Sequence, residues 1–187
     1  MRDTRAELLM QAETLVRGRG FAGFSYADLA AAVGIRKASI HHHFPTKVDL
    51  GAALVAAYAA RYAAALEAIH RDVPDGPGRI EAYGRLYLGG VEQGLGCLCA
   101  ALAIEGEALP ERLRRDIAAF FADHLAWLET VLRAGQADGS VRGADPAALA
   151  RYVVATLEGA LLMERLFASP DAFRGTLAVL VDGLRPQ

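Results

Sequence analysis

The sequence predicts an all-α fold of about nine helices, three short ones in the first 45 residues and a bundle of longer ones after them. Three observations predict it. Alanine and leucine, which head the helix scale, dominate the composition. Apolar residues recur at i, i+3 and i+4 along most of the chain, and no stretch alternates with the period of two that a strand requires. Glycine, proline and Ser/Asp capping signals punctuate the pattern at short intervals. Hydrophobic residues fill 53% of 187 positions, which excludes a disordered chain and suffices for a sizeable core.

The first helix is expected over residues 3–18, where Leu8, Ala12 and Leu15, with Leu9 and Val16 beside them, share a face; Gly18 and Gly20 end it. Ser25 is a good N-cap for the second helix, with Asp28 as its capping-box partner, and Tyr26, Leu29, Ala30 and Val33 form the apolar face. Gly34 breaks that helix. A third spans about residues 36–43 with Ile40 and Phe44 inward, and Pro45 forbids its continuation. Thr46 caps a long helix that runs to about residue 70, striped by Leu50, Leu54, Tyr58, Tyr62, Leu66 and Ile69. Residues 73–78, VPDGPG, read as a loop. Helices follow over about 80–93, 97–107 and 110–135, the last with Ile117, Phe121, His124, Leu125, Leu128 and Leu132 on one side. Asp145-Pro146 and Ser169-Pro170 each join an N-cap to a proline at the first helical position. They open helices to about Ala168 and over the final stretch that carries Phe173, Leu177, Leu180, Val181 and Leu184.

The net charge of −2 says nothing for a polyanionic partner, but its distribution does. Residues 1–50 carry a net +2 and the remainder −4. No acid stands between Asp28 and Asp49, where Arg36, Lys37, Lys47 and three histidines fall. The N-terminal residues are charged throughout and lack the apolar stretch of a secretory signal. No unbroken apolar run approaches the roughly 20 residues of a bilayer span, so a cytoplasmic protein without a membrane partner is expected. Cys97 and Cys99, two residues apart on a helix, point away from each other; neither a mutual disulfide nor a metal pair is expected.

The informative stretch is residues 26–45, YADLAAAVGIRKASIHHHFP. Two short helices joined by a tight turn must cross closely. Ala30 is the small residue at the crossing, and Gly34 tolerates the positive φ that the turn needs. Leu29, Val33, Ile35 and Ile40 lock the pair. This is the helix-turn-helix pattern, in which the second helix enters the major groove of DNA with its N-terminal residues at base edges. Here those residues are Arg36, Lys37 and Ser39, all hydrogen-bond donors. Alanine and glycine four apart would also suit any helical corner; the acid-free window and the Arg-Lys start supply the weight. His41, His42 and His43 point about 100° apart in sequence on a helix and cannot converge on one ion, so no metal site is expected. His42 faces DNA or solvent, and His43 packs inward.

Residues 23–50, GFSYADLAAAVGIRKASIHHHFPTKVDL, resemble the DNA-binding signature of the TetR family of bacterial regulators. The resemblance begins with a Gly-aromatic turn and a Ser-capped helix and closes with the His-Phe-Pro-Thr-Lys run. It covers about residues 5–50; beyond them it lies in architecture and length. It implies a sequence-specific transcriptional regulator, most often a repressor in this family. It implies a DNA-binding domain at residues 1–46 and a ligand-sensing, dimerisation domain at 47–187. The last two helices would build a homodimer, each protomer reading half of a palindromic double-stranded operator. A cavity in the C-terminal domain would bind a small-molecule effector that controls the spacing of the two heads. No cofactor is implied. Carried onto this chain, the expected DNA contacts are Ser25, Tyr26, Arg36, Lys37, Ser39, His41, His42 and Lys47. Ser25 would donate to a phosphate, and Lys47 would clamp one together with the amides that open its helix. His41 stands where the family usually has tyrosine. Histidine titrates near neutral pH, so affinity for DNA is expected to fall as pH rises.

The residues expected at the effector are Tyr62, Tyr87, His124 and Trp127, drawn from large side chains on the helices around the expected cavity, and Cys97; ordinary core packing accounts for most of the large residues. His124 is either a satisfied core histidine or a ligand group. Cys97 follows Gly96 and opens a helix, where amides and dipole favour a thiolate. Residues 96–110, GCLCAALAIEGEALP, resemble the corresponding stretch of the NemR-like, reactive-cysteine regulators, which implies an electrophile or oxidant sensor. The other reading of Cys97 is a small buried hydrophobe. An enzyme would need Cys97 and His124 as nucleophile and base, yet no oxyanion motif, phosphate loop or metal cluster accompanies them, so none is expected. A helical dimer module using its helix-turn-helix for protein contact is separated from a DNA reader by the salt dependence of duplex binding.

Overall fold

The computed structural model describes residues 3–167 and 169–186, and every regular element among them is helical. The α-helices are α1 Thr4–Arg19, α2 Tyr26–Val33, α3 Lys37–His43, α4 Lys47–Asp72, α5 Gly76–Arg85, α6 Leu88–Val91, α7 Leu98–Ala103, α8 Glu111–Ala137, α9 Pro146–Phe167 and α10 Pro170–Leu184, with a 3₁₀ turn at Gly106–Ala108. The all-α expectation holds. The expected end of α9 at Ala168 lies outside the described residues.

The chain divides into two compact units, Met1–Ala60 with Cys97–Phe120, and Arg61–Gly96 with Phe121–Gln187. Residues 97–120 thus group with the N-terminal segment.

In the first unit α1 packs on α2 and α7, and α2 on α3. Leu8, Ala12 and Val16 bury the inner face of α1, while Leu9 and Leu15 are half-buried. Both N-cap signals are realised as reciprocal boxes. Ser25 Oγ accepts from Asp28 N–H at 3.3 Å and Ser25 N–H donates to Asp28 Oδ2 at 2.7 Å. Thr46 Oγ1 accepts from Asp49 N–H at 3.1 Å and Thr46 N–H donates back at 3.1 Å. Gly34 stands in the left-handed region, φ 74°, and ends α2 by donating its N–H to Ala30 O at 2.9 Å. The turn chemistry expected of the Ala30/Gly34 pair is therefore present.

In the second unit α10 packs on α9 and α5, and α6 on α9. The stretch expected as a loop opens α5 instead: Asp75 accepts from Gly78 N–H at 2.8 Å and Pro77 occupies the first turn. A strong cap and a pre-set φ outweigh the low propensity of two glycines. The helix expected over 80–93 is split, because Leu86 and Tyr87 turn to i−3 carbonyls before the single turn of α6. Asp145 caps α9 through Ala147 and Ala148, whereas Ser169 precedes α10 without a side-chain cap bond.

Helices α4 and α9 are each long and apolar enough to cross a bilayer by length and composition. Alanine sets that average; α4 carries Arg61 at mid-length and α9 carries Arg151 and Glu158. On α9 and α10 the apolar surplus is at the surface: Leu166 is 71% exposed, Phe167 65% and Val179 73%, with Tyr152, Leu162 and Met163 also exposed. A groove of about 430 Å³ between the two helices is lined by Tyr152, Thr156, Ala172, Gly175, Thr176, Val179 and Leu180.

Candidate functional site

Helix α3 has only seven residues, and Ile40 is the one it fully buries. Arg36, which precedes it, and Lys37, Ala38 and Ser39 in its first turn are all exposed. Three donor side chains thus share the free end of a short helix, and no acid accompanies them on it. His41 and His42 are exposed on the next turn. His41 Nδ1 lies 3.1 Å from Pro45 O, to which it donates, and its ring meets Tyr26 edge-on at 4.9 Å. The His42 and His43 rings are 5.5 Å apart, edge to face, and His43 is half-buried. Among the described residues no three His, Cys, Asp or Glu side chains gather so as to hold a metal ion.

Three residues expected at DNA serve the frame in this structure. Tyr26 is buried, and its hydroxyl lies 2.9 Å from Phe44 O and 2.7 Å from Thr46 O, tying α2 to the α3–α4 turn. Burial pushes its pKa up to about 12, with Asp49 adding to the rise, so it remains a neutral donor. The hydroxyl hydrogen of exposed Ser25 goes to Asp28 Oδ2 at 2.6 Å rather than outward. Those bonds hold the Asp28 carboxyl below its ordinary pKa. Lys47 Nζ donates to the carbonyls of Phe21 and Phe24, above whose rings it sits at 4.8 and 4.3 Å. Partial burial lowers its pKa. The reason lies in the loop between α1 and α2, which leaves carbonyls without helix partners that this ammonium satisfies.

That loop is closely fitted. A Cβ on Gly23 would stand 2.1 Å from Arg19 O, a backbone atom of α1. Gly23→Ala is expected to destabilise the chain by about 1–3 kcal/mol, read as a lower urea midpoint at unchanged m-value.

The five expected effector residues do not fall in one unit. Cys97 belongs to the first, while Tyr62, Tyr87, His124 and Trp127 belong to the second. Cys97 is the N-cap residue of α7, as its position after Gly96 implied, but it is only 5% exposed.

The other four gather around Tyr83, which sequence reasoning passed over and which is fully buried. Its hydroxyl is 3.0 Å from His124 Nδ1 and 3.3 Å from the Tyr87 hydroxyl, and its ring stacks on Trp127 at 5.8 Å. Tyr87 donates to Glu158 Oε1 at 3.4 Å and stacks on Phe173 at 6.1 Å. The Tyr62 ring lies 5.2 Å from that of His124. The three links can run in one direction, His124 Nδ1–H donating to Tyr83, Tyr83 to Tyr87 and Tyr87 to Glu158. Burial pushes the His124 pKa down to about 4, against a smaller upward pull from Asp123, so the ring is neutral at pH 7. It is a hydrogen-bonded core histidine. Beside it a cleft of about 180 Å³ opens between Arg61, Tyr62, Ala65 and Leu86. The spacing of Tyr83 and Tyr87, four apart within the helix expected over 80–93, was the available signal for the hub.

Glu164 was also missed. It is 4% exposed, and among the described residues its Oε2 is the buried side-chain oxygen that finds no hydrogen-bond partner.

A short basic-tipped helix presented by a capped helical frame, joined to longer amphipathic helices, defines the class of helix-turn-helix DNA-binding regulators. The family profile described as "Bacterial regulatory proteins, tetR family" matches residues 8–54, and that described as "Tetracyclin repressor-like, C-terminal domain" matches residues 76–180. The chain belongs to the TetR family. It is similar to a TetR-family transcriptional regulator of Agrobacterium tumefaciens, 33% identical over 97% of each chain with a TM-score of 0.93. It is also similar to NemR of E. coli in its reduced form, 27% identical over 99% of each chain with a TM-score of 0.84. Among curated relatives it is 23% identical to the repressor DhaR of Mycobacterium sp. (strain GP1), over 97% of this chain and 92% of that protein. Regulators of this family bind operator DNA, act as dimers and respond to small molecules, and this chain is a DNA-binding transcriptional regulator of that kind.

Proposed function

We propose that the chain represses transcription by binding a palindromic operator as a homodimer, with Arg36, Lys37 and Ser39 reading base edges in each half-site. The observation that carries this is the exposed donor-bearing first turn of α3, held by a single buried residue within an acid-free stretch. His41 and His42 lie along the same helix and reach the flanking phosphates. Lys47 and Tyr26 act one step back: they hold the loop and turn from which α2 and α3 start. Residues 1–46 do the reading, and the rest of the chain senses and dimerises in the cytoplasm. The second copy covers the exposed apolar face of α9 and α10, whose groove and large side chains suit a self-complementary helical interface.

The effector enters at Tyr62 in the cleft beside His124, and the Tyr83–Tyr87–Glu158 chain supplies its polar contacts or is rearranged by it. A non-covalent small molecule is favoured over direct attack on a thiol because Cys97 is buried and fits the small-hydrophobe reading. Electrophile treatment tests this: release of DNA that disappears in Cys97→Ser would restore the reactive-cysteine reading of the NemR-like branch.

The decisive experiment is selection from a pool of randomised duplexes. A two-fold symmetric sequence is expected, with binding that weakens steeply as salt rises; a blank selection overturns the reading. On the selected duplex, Arg36→Ala is expected to cost about 1–3 kcal/mol and to relax preference at one base pair per half-site. Titrations against single-base variants of the duplex check it.

A further inference from the structure

We infer that Glu105 is a positioning residue for DNA binding, one that fixes the α1–α2 loop from which Ser25 and α2 begin. Glu105 follows α7, more than eighty residues along the chain from that loop. Its carboxylate accepts the Phe21 N–H, and both its oxygens accept from Ala22 N–H at 3.1 Å. Lys47 takes the carbonyls of Phe21 and Phe24. Phe21 is therefore gripped at both N–H and C=O by residues of opposite charge, one at the head of α4 and one from the 97–120 segment.

Gly20 backs this grip. Its φ is +81°, and a Cβ there would stand 2.8 Å from Glu105 Oε1. The loop has no helix or sheet to satisfy these amides, so their order depends on the carboxylate. Four residues later the chain must present Ser25 and the first turn of α2 at a fixed angle. α2 in turn carries α3 across the Ala30/Gly34 turn. Glu105 touches none of the residues proposed to read DNA; it acts through the loop.

Charge and geometry make opposite predictions, which gives the test its edge. Glu105 is an acid in the unit that carries the DNA-reading helix. By charge alone, removing it tightens binding to a polyanion. If it positions the loop, removing it weakens binding. On the duplex selected from the randomised pool, at a temperature where circular dichroism shows the variant as helical as the parent, Glu105→Ala is expected to weaken binding about tenfold. Its salt dependence should match the parent's, since no phosphate contact is lost. Glu105→Gln keeps an acceptor and removes the charge, so it is expected to bind within about threefold of the parent. In the Ala variant the Phe21 and Ala22 amides should exchange with solvent faster than in the parent.

A helical Ala variant that binds as tightly as the parent, or whose Phe21 and Ala22 amides keep their protection, overturns the assignment. Should the Ala variant not fold, the Gln variant carries the test. Exchange at those two amides must quicken when a neutral acceptor replaces the carboxylate, and unchanged rates overturn the assignment equally.

Discussion

Ile40→Ala is expected to cripple specific DNA binding while much of the chain stays helical. Seven residues are too few for a helix to persist in water without tertiary contacts. Ile40 is the one fully buried residue of α3, and Phe44, just past its end, is the next. Removing three carbons from a site with no exposed surface costs about 2–5 kcal/mol. That loss falls on an element with little other support, since Arg36, Lys37, Ala38 and Ser39 face outward. Binding to the selected duplex should drop by about a hundredfold or more. Far-UV circular dichroism should lose little beyond α3. Ile40→Val, with a cost of about 0.5–1.5 kcal/mol, should retain binding. An alanine variant that binds within tenfold of the parent would show that α3 is held by something other than this side chain.

Acid is expected to destabilise the protein through His124. In an unfolded chain the imidazole takes up a proton near pH 6.5, whereas in the folded protein burial delays this to about pH 4. The folded pKa is the lower one. The stabilisation is therefore complete above pH 6.5 and drains away as pH falls toward 4. The two values correspond to about 3 kcal/mol. Urea unfolding from pH 7 to pH 4 should show a loss of that order, and His124→Gln should flatten it. Glutamine does not titrate and keeps an N–H for Tyr83. Parallel profiles for the two proteins would rule His124 out as the acid-sensitive group.

What could be read from the sequence was whatever is local. Ser25 with Asp28, the cap at Thr46, and Ala30 with Gly34 are each complete within five residues, and the structure realises all three. The start of α5 was misjudged because Asp75 and Pro77 lie among glycines, and composition outvoted the cap. The role of Lys47 was hidden because the carbonyls that claim it are more than twenty residues away. Tyr83 meets His124 across 41 residues and Glu105 meets Phe21 across 84. No periodicity announces such pairs; they exist only once helices are packed. Cys97 shows the reverse case, a position at a helix start that was legible and a burial that was not.

The single-anchor construction of α3 bears on how such a regulator diversifies. Its inner side is one isoleucine, so the outward positions 36 to 39 can be exchanged with little penalty to folding. Target preference can then drift under selection while the scaffold is inherited unchanged. After gene duplication, two copies could come to govern different promoters through a handful of substitutions in this one turn.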